Sequence, residues 1–170
     1  MTKLLNVKKL DYFIILFVFV VYQFTLAPSV VQIDSGELAS IQYILGIAHP
    51  SGYPLFTVLG YLFGLIPLPV TKIYQYNLLA SIYTSLAVFF IIRSLRYILQ
   101  SVGQKKIKEK SNKKKHEKNV QFFLSLTEQE ITIFSIVGGL ILAFSKTFWF
   151  QSTSVEVYSF HLLLFSIILF

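Results

Sequence analysis

The chain contains no cysteine. Disulfides and thiolate metal ligands are therefore excluded, while the compartment is left open. Acids are scarce, with eight Asp and Glu against fifteen Lys and Arg and a net charge of +7. There is no phosphate-cradling glycine loop, no nucleophile elbow and no zinc-type ligand spacing. Charge of either sign reaches only 14% of residues, whereas 55% are hydrophobic and 16% aromatic. A soluble domain of this size could not hide so much apolar surface, and the composition reads as an integral membrane protein.

The positive charge does not indicate nucleic acid. Eight of the fifteen basic residues lie between Lys105 and Lys118, in one segment between apolar runs. A basic loop beside a membrane marks the cytoplasmic side or touches anionic headgroups.

Apolar runs suggest about four spans, at residues 12–27, 73–99, 131–145 and 157–170. The first follows Lys3, Lys8 and Lys9. A signal peptide is its rival reading, but no small-residue cleavage site is convincing and more spans follow. Residues 28–72 read as an exterior loop with a helix through GELASIQYILGI, broken by HPSGYP. The piece LFTVLGYLFGLI is too short to span and suits an interfacial or re-entrant helix. Arg93 and Arg96 close the second span, where they can snorkel. Residues 100–120 read as a mobile basic loop. Gly138-Gly139 permits close helix contact in the third span. The apolar run HLLLFSIILF reaches Phe170, so the chain is expected to be the N-terminal part of something longer. With the lysines inside, Asp34, Glu37, His49 and Glu156 all fall on the exterior side.

The segment IDSGE sets Asp34 and Glu37 three residues apart, on one face if they open a helix. Charge beside a membrane is costly unless it faces water or a polar site. A carboxylate there can take a proton from an attacking hydroxyl. A divalent metal is a further option, on which a single pair of acids is weak evidence. The alternative is a helix cap plus an acid that suits the helix dipole. His49 can contact a phosphate or simply occupy a turn. Gly52, Tyr53 and Pro54 fix the loop shape. Glu156 can meet Asp34 across the bundle or be a solvated loop acid, and Tyr158 and His161 read as packing residues.

The run LAPSVVQIDSGELASIQYILGIAHPSGYPLFTVLG, then YQYNLLASIYTSLAVFFI, then FWFQSTSVEVYSFHLLL, resembles the protein O-mannosyltransferase-related membrane proteins, a branch of the GT-C glycosyltransferases. The resemblance rests on D-S-G-E, on the proline-glycine turn (with Ser51 where a proline is usual), on N-L-L and on E-x-Y. It covers most of residues 24–170 and omits 100–120. It implies an all-α, GT-C-like multi-span bundle that uses a polyprenyl-phosphate sugar, with a protein Ser/Thr or other hydroxyl as acceptor. Carried to this chain, Asp34 is the base and Glu37 a supporting acid. His49, Tyr53, Gln151 and Glu156 are substrate contacts. No cofactor beyond the lipid-linked donor is implied. The expected setting is a bacterial cytoplasmic membrane, with the site on the exterior side. The rival reading is a transporter using Asp34 and Glu37 as ion or substrate ligands, which would want acids within its spans.

Overall fold

The computed structural model describes the backbone of residues 2–31, 33–50, 52–112 and 126–170, with side chains from Lys9 and, in the fourth helix, up to Ser101. Among the described residues every regular element is helical: α1 (Thr2–Gln23), α2 (Ser35–Ile44), α3 (Pro54–Gly64), α4 (Lys72–Asn112), α5 (Glu128–Ala143), α6 (Lys146–Thr153) and α7 (Val157–Leu169). All the others pack on α4. Its stretch Lys72–Ser101 is long and apolar enough to cross a membrane. Helices α5 and α6 meet at a 65° bend and together have the composition of one broken span.

Beside an apolar core that includes Val18, Leu38, Val88, Ile92 and Phe160, the interior holds many polar side chains. Gln75, Asn77, Ser81, Thr84, Ser135, Ser159 and Ser166 are fully buried, while Phe13, Phe24, Ile141 and Ile168 face outward. The inner hydroxyls return to carbonyls of their own helices, as in Ser81 to Leu78 (2.7 Å), Thr84 to Ala80 (3.0 Å) and Ser166 to Leu163 (2.7 Å). Their donors are thus satisfied without water. Small polar residues inside and large apolar ones outside suit helices that meet lipid. Gly139 lies directly beneath Ile92, and any side chain there would overlap it. That close approach seats α5 on α4.

Several boundaries differ from the sequence reading. Helix α1 ends at Gln23, four residues before the expected end of the span at 27. Helix α4 runs on to Asn112, so residues 100–112 are helix and not a mobile loop; residues 113–125 lie outside the described residues. Helix α5 begins at Glu128, because Thr127 and Glu130 close a reciprocal cap: the Thr127 N–H donates to Glu130 (2.7 Å) and the Glu130 N–H to Thr127 Oγ1 (3.3 Å). The aromatic link after it folds as α6. Helix α2 stops at Ile44, where Leu45 adopts a left-handed conformation (φ 55°) and the Gly46 N–H reaches back to Ile41 (2.8 Å).

The two arginines of α4 also differ from expectation. Arg96 does not snorkel. Both its terminal nitrogens bind the carboxylate of Asp11 at 2.6 Å, tying α1 to α4 with the acid 3% exposed. Arg93 lies over the rings of Phe89 and Phe170, 5.3 and 5.0 Å from their centroids, a cation–π arrangement.

Candidate functional site

The site is built at the opposite end of α4 from Arg96. Asp34 occupies the N-cap position of α2, yet its backbone is in the helical region and its side chain makes no capping hydrogen bond. The carboxylate is exposed and is not spent on the helix end, contrary to the simple cap reading. Glu37, one turn later, turns instead to the following loop. The His49 N–H donates to Glu37 Oε1 (2.8 Å), and His49 Nδ1 stands 3.2 and 3.1 Å from its two oxygens. An ionised carboxylate only accepts, so Nδ1 carries the proton. The His49 N–H, then its ring, hold Glu37 below the usual carboxylate range. A carboxylate held low adds stability above its ordinary value and loses it as pH falls through the lowered one. Acidification through that range therefore loosens the HPSGYP turn from α2.

Tyr53 extends this chain of contacts. Its ring meets His49 edge-on at 5.8 Å and His161 of α7 at 6.2 Å. Its backbone is left-handed (φ 44°), which for a bulky residue costs about 1–3 kcal/mol and concentrates at functional sites. Ser51 lies outside the described residues. His161, read from sequence as packing, joins the cluster because α7 places it opposite the turn. It also lines a cavity of about 430 Å³ with Thr147, Phe148, Gln151, Tyr158, Leu162 and Phe165. The Gln151 Oε1 is buried there with no hydrogen-bond partner. The sequence signal for this wall is Tyr158 and His161, three apart on the first turns of α7.

Glu156 caps the approach to α7 and is only 6% exposed. Burial first, and then the charge of Asp34, push its carboxyl above the ordinary range; the Val157 N–H and the charge of His49 pull it back. Glu156, Asp34 and His49 thus lie within electrostatic reach, although they come from two loops more than a hundred residues apart. Among the described residues no group of three acid or histidine side chains is arranged to hold a metal ion.

A raised carboxyl pKa carries a stability signature. The folded chain holds the Glu156 proton more tightly than the unfolded one, so stability is greatest at low pH and falls as pH rises through the raised value. Glu156→Gln is expected to raise the thermal midpoint at neutral pH and to flatten the loss of stability between acid and neutral conditions. Thermal melts of the two proteins across that range decide it; parallel curves would show that Glu156 is relaxed.

The fold and site together define a helical chain with polar side chains among its apolar core and an acid–histidine cluster at one end. It belongs to the family described as Protein O-mannosyl-transferase TMEM260 N-terminal domain, matched over residues 34–170. Protein O-mannosyl-transferase tmem260 of Dictyostelium discoideum is 40% identical over 74 residues, covering 42% of this chain and 9% of that protein. Protein O-mannosyl-transferase TMEM260 of Mus musculus is 43% identical over 68 residues, covering 39% of this chain and 10% of that protein. The matches therefore span about a tenth of the length of these relatives. No solved structure matches.

Proposed function

We propose that this chain is the N-terminal part of a multi-span, GT-C-type glycosyltransferase that moves a sugar from a polyprenyl-phosphate to a hydroxyl of a protein at the exterior membrane face. The observation that carries this reading is the grouping of Asp34 and the Glu37-bound His49 within electrostatic reach of Glu156, with Tyr53 touching both His49 and the cavity residue His161. The names of the relatives support mannose as the sugar and protein as the acceptor. In the reaction, Asp34 accepts the acceptor's hydroxyl proton. The oxygen attacks the anomeric carbon as its bond to phosphate breaks, and polyprenyl phosphate leaves with the electron pair. Glu37 holds the His49 turn in place, and Gln151, Tyr53 and Glu156 line the approach.

The transporter reading, which takes Asp34 and Glu37 as ligands, gains no further acid from Asp11, and Glu37 is already held by His49. Asp11 is buried within the bundle but is fully engaged by Arg96, leaving no open carboxylate there for a coupling ion.

The exterior placement has a direct test. Single cysteines at Ser51 and Ser111 of this cysteine-free chain report each side to an impermeant thiol reagent in intact cells. Labelling is expected at 51 and not at 111, in line with the lysine bias. The reverse pattern would put the acids inside and remove the exterior site.

A further inference from the structure

Asn77 is fully buried near the start of α4, in a motif to which sequence reading assigns no role. Its amide faces two backbone groups from distant segments. Nδ2 donates to the Ala27 carbonyl at 2.8 Å and, more weakly, to that of Ser29 at 3.5 Å. Oδ1 accepts from the Val155 N–H at 2.8 Å. One partner can only accept and the other only donate, so the orientation of the amide is forced. The Ala27 N–H also reaches the Thr153 carbonyl at 2.9 Å, which zips the two segments beside the clasp.

These segments carry the two acids. Asp34 follows Ala27 by seven residues, and Glu156 is the residue after Val155. The neighbouring hydroxyls of Ser81 and Thr84 return to their own helix. Gln75 makes the analogous contact for α3, donating to Phe63 (2.8 Å) and Ile66 (2.9 Å). Two amides near the start of α4 therefore fasten different segments, and Asn77 fastens the pair that bears carboxylates.

We propose that Asn77 is a positioning residue, setting the separation of Asp34 and Glu156 by clamping both loops to α4; its catalytic consequence rests on the proposed transferase reading. Asp cannot replace it fully. In Asn77→Asp an ionised carboxylate would accept from Val155 but repel the Ala27 carbonyl, and Asn77→Ala keeps neither bond.

The test uses the full-length protein in its membrane. Cysteines at Ser29 and Thr153 report loop separation through a short thiol cross-linker, with and without Asn77→Ala. The expected result is a large drop in cross-linking for Asn77→Ala and a smaller one for Asn77→Asp. Turnover should fall roughly 10- to 100-fold in kcat, the scale of a small misplacement of reacting groups, with little change in KM. The groups facing Glu156 are Asp34 and His49, the latter paired with Glu37. If Asp34 moves away, the Glu156 carboxyl loses a charge that helps to hold it above the ordinary range, so Glu156 should ionise at lower pH. Should Asn77→Ala fail to accumulate, Asn77→Asp carries the same comparison. Unchanged cross-linking, or a loss carried by KM with kcat unmoved, would overturn the proposal. Lost cross-linking with full turnover would uphold the clamp and remove the transferase site instead.

Discussion

Asp34→Asn in the full-length protein is expected to lose most sugar transfer while inserting and accumulating near normally. A positioned base contributes ~100- to 10,000-fold in rate, and Asn cannot take a proton at neutral pH. The geometry separates this loss from instability. The Asp34 side chain makes no cap bond to α2, and Asn is itself a good N-cap residue, so the helix has no reason to fray. Neutralising Asp34 also removes a charge that raises the Glu156 carboxyl, so Glu156 should ionise at lower pH in the variant. Glu37→Gln is expected to be milder. It weakens the hold on the His49 turn without touching the proton acceptor. A transfer assay with a polyprenyl-phosphate sugar and a tested acceptor decides the matter. Parental turnover by Asp34→Asn would return this residue to the role of a helix-end acid and reopen the transporter reading.

The second large effect is expected at the other end of α4. Arg96→Met leaves Asp11 buried and unpaired. Breaking a buried pair in this way costs about 3–5 kcal/mol, whereas replacing both partners with apolar groups is often neutral. Arg96→Met and Asp11→Leu should therefore each lower the thermal midpoint or the yield of inserted protein, and the double variant should recover most of the loss. Melting of the purified proteins in detergent gives the comparison. A double variant as unstable as the singles would mean that the side chains act independently.

The helical character was legible because it depends on composition and on apolar runs. Of the four spans expected, one helix among the described residues, Lys72–Ser101, is long and apolar enough to cross a membrane, and α5 with α6 makes at most one bent span. The ends of helices were less legible. The stretch after Leu99 is polar and lysine-rich, which reads as loop, but Gln, Lys and Glu are good helix formers and elongation from an existing span costs no new nucleus. The α5 start was visible in principle as Thr127-x-x-Glu130. The HPSGYP turn and the IDSGE acids stood out, yet their division of labour did not. Spacing puts Asp34 and Glu37 on one face, and only the folded loop shows that Glu37 is taken by His49. Asn77, His161 and the Asp11–Arg96 pair were invisible as functional or structural partners. Asn77 stood in the N-L-L motif and His161 near the start of α7, but their contacts span large separations along the chain, so their partners could not be read from a single sequence.

The apolar stretch Lys72–Ser101 of α4 carries a polar fastening near each end, Asn77 at the loops that bear the acids and Arg96 at α1. Nineteen residues separate them, about 28 Å along a helix axis. The hydrocarbon core of a bilayer is about 30 Å thick. On the proposed membrane reading the rod would act as a depth gauge, with its two tethers about one membrane width apart and the acids on one of them set at a fixed height relative to the lipid tails. On that reading, a thicker bilayer would drag one tether into hydrocarbon, and a thinner one would lift the acids away from the headgroup plane.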